Sequence, residues 1–446
     1  MAAAGRLAPR EEAVHSAGMH AEGLGRGGSL LSAGARFARS PGVLARLFAP
    51  GFHKVLDRID EGLERGSIVG RLPDGSTRLL GGRAPGFEAE VEIRDWRALL
   101  RLATNGSIGW YQAWEAGEWD SPDPVPLFAL FMANGDALGD TGRARGPFRL
   151  AARFAHWLNR NTHAGAERNI HAHYDLGNDF YAAWLGQSMC YSSALFSAPN
   201  TPSRAEQFLS PLDYAQLGKV TAMLDRVRIE QAQSVLEIGC GWGMLAHAAA
   251  GHGARVDAIS LSDAQLDYCR AKATPGQPPP AFLKRDYRDM HGQYDAIVSV
   301  EMVEALGREF WPDFMDCVAR NLKPGGRAAI QFISMKDSLF DHYARSADFI
   351  QAYIFPGGLL IRTSEFRRLA EERGLEWTDQ SDFGLDYAET LRLWRENFDA
   401  AASANRLPAG FDERFVRLWR YYLMYCEGGF RGGGIDVHQV TLVKEH

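Results

Sequence analysis

Two carboxylates close the stretch DAIVSVEMVEALG, Asp295 to Gly307. Ala296, Ile297, Val298 and Val300 read as a buried strand, and Glu301 and Glu304 arrive where it ends. Burying an ionised carboxylate is costly unless something pairs with it, so each implies a partner or a ligand. A second signature is VLEIGCGWG, in which an apolar run enters Gly239, Gly241 and Gly243. Glycines permit a tight turn and close backbone approach. A following helix would aim its free N–H groups at an anionic or polar ligand. The GxGxG spacing is not the GxGxxG of dinucleotide binders, and the next apolar run ends in AISLS without an acid for a ribose.

Elements that could position these groups follow from texture. From Asn169 onward, SVLEIG, RVDAIS, YDAIVSV and RAAIQFI are short apolar runs alternating with helical patterns such as AQLDYCRAKA and FWPDFMDCVARNL. That alternation predicts an α/β fold with a mostly parallel sheet covered on both faces. Ligands bind such sheets beyond the carboxyl ends of the strands. Upstream, residues 51–138 read as a small α+β domain. GSIVGRLPDGSTRLLGG carries two strand patterns about a turn, EAEVEIRDW alternates as a strand, and RDWRALLRLATNG reads as a helix ending at Gly106. The aromatic stretch SIGWYQAWEAGEWD reads as core or interface filler.

Residues 1–50, rich in Ala, Gly and Arg, read as a poorly ordered or amphipathic segment. Residues 139–168 form a basic connector: Thr141 to Arg160 holds five arginines and no acid. In FRLAARFAHWLNR the apolar residues recur at helical spacing, as expected of a linker helix or of one that touches an anionic membrane surface. Residues 169–446 complete the chain.

The 446 residues suit two or three domains. A net charge of −6 argues against a dedicated nucleic-acid binder. Five scattered cysteines without a CxxC pair suggest neither a zinc site nor a disulfide framework, and fit a reduced cytoplasm. No run approaches the ~20 apolar residues that cross a bilayer. His171 and His173 lack a clear third ligand, so no metal is expected.

Ten motifs in order carry a resemblance: NIHAHYDLGNDFY, MCYSSALF, VLEIGCGWG, ISLSDAQ, RDYRDM, SVEMVEALG, LKPGGRAAIQFIS, FIQAYIFPGG, DYAETLRLW and YYLMYCEGGFRGGGIDVHQVTL. The sequence resembles the cyclopropane-fatty-acyl-phospholipid synthase family, enzymes that use S-adenosylmethionine (SAM) on membrane lipids. The resemblance implies a Rossmann-like class I SAM-dependent methyltransferase domain with a seven-stranded, mostly parallel sheet, preceded by a small α+β domain. It assigns the SAM pocket to Tyr191, Ser192, Gly239, Gly241, Trp242, Gly243, Ser260, Leu261, Gln265 and Tyr287. It implies as partners phospholipids with unsaturated acyl chains, on the inner face of a membrane that the protein touches peripherally, and allows a homodimer.

The chemistry expected is methyl transfer to an alkene. An isolated alkene is a weak nucleophile, so the cofactor supplies reactivity and the protein supplies position and electrostatics. The chain is left with a carbocation that aromatic faces can stabilise; Tyr174, Phe180, Tyr181, Tyr353 and Phe355 are the candidates. Proton loss from the new methyl closes a cyclopropane, the expected product; loss from the chain leaves a methyl-branched or methylene product. In the family a bound bicarbonate serves as the base. The resemblance places Glu304 and Tyr387 as its holders, with Gln331 where a histidine is expected and backbone positions at Ser193 and Val300. Glu301 is read as a helix N-terminal cap. Ser193 and Ala305 also replace residues common in relatives, Cys and His. Gln331 can donate a hydrogen bond but cannot take up a proton near neutral pH, which leaves the product open. Alternatives from other classes are a non-catalytic lipid-binding protein on this fold and a methyltransferase for a soluble small molecule.

Overall fold

A computed structural model describes residues 26–35, 49–139, 176–197, 209–230, 233–272, 279–345 and 347–446. Residues 140–168 of the basic connector, His171, His173 and Tyr174 lie outside them.

Two sheets organise the chain. The first is four-stranded, in the order β2-β1-β3-β4, with β1 at Ser67–Arg71, β2 at Thr77–Gly81, β3 at Glu88–Ile93 and β4 at Trp119–Asp120. β1 and β2 form the expected antiparallel hairpin, and β3 runs parallel to β1. The alternation of EAEVEI is matched in burial: Ala89, Val91 and Ile93 face inward.

The second sheet has seven strands in the order β10-β11-β9-β8-β5-β6-β7. They are β5 (Ser234–Ile238), β6 (Arg255–Ser260), β7 (Ala281–Lys284), β8 (Tyr294–Val300), β9 (Leu322–Met335), β10 (Leu375–Asp382) and β11 (Ile435–Lys444). β5 pairs in parallel with β6 and β8, and β8 with β9; only β11 runs antiparallel to its neighbours. The strand order reverses at β5 and β8, so a crevice opens beyond their carboxyl ends. Both candidate signatures, the glycine turn after β5 and the glutamates after β8, fall there.

The helix begun at Arg97 does not stop at Gly106. It kinks there, with φ 59 and ψ −139, and continues to Glu115. A glycine at a left-handed position breaks the turn. The chain resumes helix because Trp110, Tyr111 and Trp114 have a core to enter. Tyr111 packs edge-on against Tyr353 and Tyr421, and Gln112 donates to the Tyr353 hydroxyl at 3.2 Å. The aromatic stretch is thus core shared between the two sheets. The helix Val125–Ala133 crosses Glu413–Arg431 so closely that a Cβ on Gly428 would lie 2.4 Å from Phe128 Cβ. Within the segment expected to be a tail, Gly28–Ala35 is a helix with Leu30 and Leu31 buried. Among the described residues no helix is long and apolar enough to cross a membrane.

Candidate active site

One cavity of about 550 Å³ joins the two signatures. At one end lies the turn after β5. Gly239, Gly241 and Gly243 all have left-handed φ, at 81, 51 and 83. A Cβ at Gly239 would meet Met302 at 2.9 Å, and one at Gly243 would meet the Cys269 sulfur at 2.9 Å. A Cβ at Gly241 would meet nothing within 4 Å. The turn is therefore closed towards the protein and open at its middle glycine, a cradle for a ligand. Gly239 and Cys240 donate backbone N–H groups to Ile259 O, which ties the turn to β6.

All ten residues expected to bind SAM line this cavity: Tyr191, Ser192, Gly239, Gly241, Trp242, Gly243, Ser260, Leu261, Gln265 and Tyr287. Trp242 donates from its indole to Asn178 Oδ1 at 2.9 Å, and Ser260 Oγ donates to Gln265 Oε1 at 3.1 Å. Gln265 Nε2 is buried without a partner among the described residues, so a ligand acceptor here would satisfy it. Tyr191 and Ser192 are held from behind: Lys219 Nζ reaches Ser192 Oγ at 2.7 Å, and the Tyr191 and Tyr422 hydroxyls meet at 2.8 Å. The residues present fit SAM, with an open glycine turn, aromatic walls and an orphaned amide donor.

At the centre of the cavity the two glutamates separate in role. Glu301 follows the last residue of β8 with a left-handed backbone, φ 49. That conformation costs a side-chain-bearing residue about 1–2 kcal/mol. It turns the side chain back across the sheet. Glu301 Oε1 accepts from Ser193 N and from Gln331 Nε2, each at 2.8 Å, and Oε2 accepts from the Tyr387 hydroxyl at 2.6 Å. The amide of Gln331 is oriented from its other side, because its Oε1 accepts from Gln439 Nε2 at 3.0 Å and Gln439 Oε1 accepts from Arg226 Nε at 3.1 Å. Ser193 contributes only its backbone; its hydroxyl donates to Ala194 O at 2.9 Å.

Tyr387, Ser193 and Gln331, expected with Glu304 around a bound anion, converge in this structure on Glu301, and Glu301 caps no helix. The left-handed turn at Glu301 is the physical reason. Glu304 stands one short turn later, in Val303–Ala305, where Oε1 accepts from Ile333 N and Oε2 has no hydrogen-bond partner among the described residues. Val300 lines the cavity at the end of β8, in register with Gln331 of β9.

Both glutamates are enclosed by protein, and their remaining exposure is to the cavity they line. Burial pushes the Glu301 carboxyl up, opposed by its three donors. Burial, with the charge of Glu301 beside it, pushes Glu304 up to about 8. The three donors favour the charged form of Glu301, and its charge disfavours that of Glu304. Burial and the neighbouring Glu301 raise Tyr387 well above the usual phenol range, so it remains a donor.

Of the four described aromatic residues expected to face a cation, Phe355 lines the cavity. Phe180, Tyr181 and Tyr353 are fully buried behind its walls. Tyr422, which sequence reasoning did not single out, lines it too. The far end is apolar and is built by the N-terminal helices: Leu102, Trp110, Phe128 and Phe131. Among the described residues, Asp382, Asp436 and His438 are grouped closely enough to hold an ion, but none of them lines the cavity.

A protein-family description, "Mycolic acid cyclopropane synthetase", matches residues 161–440. The chain is 38% identical to the tuberculostearic acid methyltransferase UfaA1 of Mycobacterium tuberculosis, over 77% of this chain and 81% of that one. It is 30% identical to the cyclopropane-fatty-acyl-phospholipid synthase of Escherichia coli K12, over 82% of this chain and 90% of that one. Among solved structures, the mycolic acid cyclopropane synthase CmaA1 complexed with SAH and CTAB superimposes with a TM-score of 0.55 at 26% identity. The superposition covers 62% of this chain and 98% of that one.

Proposed function

Because the chain belongs to the mycolic acid cyclopropane synthetase family, and is thereby a SAM-dependent methyltransferase of the cyclopropane-synthase type, we propose that it methylates the double bond of an unsaturated acyl chain carried by a phospholipid. Proton loss then leaves a methyl-branched chain. The observation that carries this reading is the single cavity. It runs from an open glycine turn, past paired carboxylates, to apolar walls built by the N-terminal helices. Hydrocarbon fits such walls, and a charged or strongly polar substrate would be desolvated there without partners.

When bound, SAM supplies a methyl carbon made electrophilic by its sulfonium, which leaves with its bonding pair on sulfur. The residues of this chain do the rest. The glycine turn, Gln265 and Tyr191 hold the cofactor end. Apolar walls place the alkene and exclude water, which would otherwise capture a cation. The faces of Phe355 and Tyr422 stabilise positive charge on the chain, and a base removes one proton.

Branching is favoured over ring closure by two observations. Gln331 stands where an acid–base side chain is expected. Identity is also higher, over similar coverage, with a relative named for methyl transfer to a fatty acid. Ring closure is the second reading, favoured by the relative named for cyclopropane formation. Docking on an anionic membrane through the arginines between Arg143 and Arg160 belongs to the same proposal, at roughly 1 kcal/mol for each arginine near the surface. Replacing Arg145, Arg149 and Arg153 by Gln should weaken co-sedimentation with anionic vesicles at low salt.

The deciding experiment incubates the protein with vesicles of an unsaturated phospholipid and SAM carrying a trideuterated methyl group. Acyl chains are then analysed by mass spectrometry. Proton loss from the chain leaves all three deuteriums. Ring closure leaves two, as an exocyclic methylene would; mild hydrogenation separates these, since it reduces the alkene and spares the ring. No deuterated acyl chain at all would overturn the proposal.

A further inference from the structure

The family implies bicarbonate as the base, with Glu304, Tyr387, Gln331, Ser193 and Val300 as the residues that would hold it. The donors do not fit it here. Ser193 N, Gln331 Nε2 and the Tyr387 hydroxyl are all engaged by one carboxylate that belongs to the chain itself, Glu301. Ile333 N donates to Glu304. A second anion entering this cluster would have to displace Glu301 from these three donors and would meet its carboxylate.

We propose that Glu301 is the base of the reaction, built into the chain in place of a bound bicarbonate. This rests on the methyl-transfer reading above. Three features of the geometry support it. Glu301 lines the same cavity as the glycine turn and the apolar walls. Its oxygens are fixed by three donors from three separate segments, the arrangement a positioned base needs. Its backbone is left-handed, where glycine would sit without strain, so the carboxylate is kept at a conformational cost.

The step balances without a further reagent. After methyl addition the acyl chain carries one positive charge. Glu301 takes a proton from a carbon next to the cationic centre. The C–H bonding pair becomes the new carbon–carbon π bond, or a ring bond if the proton comes from the new methyl. Glu301 is left neutral and returns its proton to water when product leaves. Gln331, whose amide faces Glu301, is a positioning residue.

The test measures deuterated acyl product from the vesicle assay, with bicarbonate stripped out or added, for wild type, Glu301→Gln and Glu301→Gly. Calorimetry with SAM on each protein establishes that the pocket is intact. Wild type should turn over equally well, within about twofold, with and without bicarbonate. Glu301→Gln should bind SAM normally but lose about 10²-fold in turnover or more, the low end for a lost base, and bicarbonate should not restore it. Glu301→Gly relieves the backbone and empties the donor cluster, so added bicarbonate should raise its turnover about tenfold. Wild-type turnover that requires bicarbonate would overturn the inference while leaving the methyltransferase function standing. Near-normal turnover of Glu301→Gln would do the same. Wild type that methylates no lipid under either condition would remove the function and this inference together.

Discussion

The two ends of the polar half of the cavity are built on different principles. The cofactor end is made of backbone: a strand, three glycines with left-handed φ and a helix start, all within one short stretch. The carboxylate end is made of side chains drawn from distant places. Glu301 meets partners 30, 86 and 108 residues away in sequence. A site held by backbone tolerates changes in neighbouring side chains and fails when its glycines are filled. A site held by a converging network loses function in graded steps as each donor is removed.

Gly241→Val tests the first half and carries the largest effect. Its Cβ would meet nothing within 4 Å among the described residues, so the loss should fall on the ligand. SAM affinity should drop by about 10²-fold or more, equivalent to about 2.7 kcal/mol. The melting temperature of the free protein should move little beyond the cost of the φ at that position. Wild-type affinity by calorimetry would break the contrast.

Tyr387→Phe tests the second half. It removes one of three donors to Glu301 and leaves the ring in place, tilted against Phe430 at 4.5 Å between centroids. Turnover should fall about tenfold, roughly the worth of one hydrogen bond to a charged group, while SAM affinity stays within about twofold. A loss as large as that of Glu301→Gln would mean that the tyrosine, and not the network, carries the effect.

Glu304→Gln should have the smallest effect on turnover, within about threefold, because Gln resembles the neutral acid that Glu304 is near pH 7. Its signature lies in stability. Glu304 titrates at about 8 in the fold, against 4.5 when unfolded. Between those values the native state holds a proton that the unfolded chain has lost, so stability falls as pH rises, by at most about 1.4 kcal/mol per pH unit from this group. The contribution is complete below pH 4.5 and lost through pH 8. The titratable groups nearby are Glu301 and, beyond it, Tyr387 and Lys219. Urea titrations should show the variant gaining on wild type at pH 8, with the gain closing towards pH 5. Parallel pH profiles for the two proteins would place the proton elsewhere.

Reading the sequence reached the first kind of site and missed part of the second. The parallel strands, the hairpin at Ser67–Gly81 and the glycine turn are local patterns, and period and turn chemistry reveal them. The ten cofactor positions came with the ordered motifs and converge on one cavity. What could not be read was which of two glutamates meets Tyr387. That choice depends on a left-handed φ at a residue other than glycine, for which Glu301 carries no local signal. Gln331 was visible, but its orientation is set by Gln439 and Arg226, which lie far apart in sequence. The helix past Gly106 was missed for a related reason: a glycine predicts a stop, and only the shared aromatic core explains why the helix resumes.

That shared core has a thermodynamic consequence. Tyr111 of the first region sits among Phe349, Tyr353 and Tyr421 of the second, with ring centroids 4.6–5.0 Å apart. Neither sheet can melt without exposing the aromatic surface of the other. The described chain should therefore unfold in a single calorimetric transition, its van't Hoff enthalpy matching the calorimetric one. Cutting the chain before residue 139 would strip the covering from Glu413–Arg431 and yield a product that aggregates, not a smaller stable catalyst.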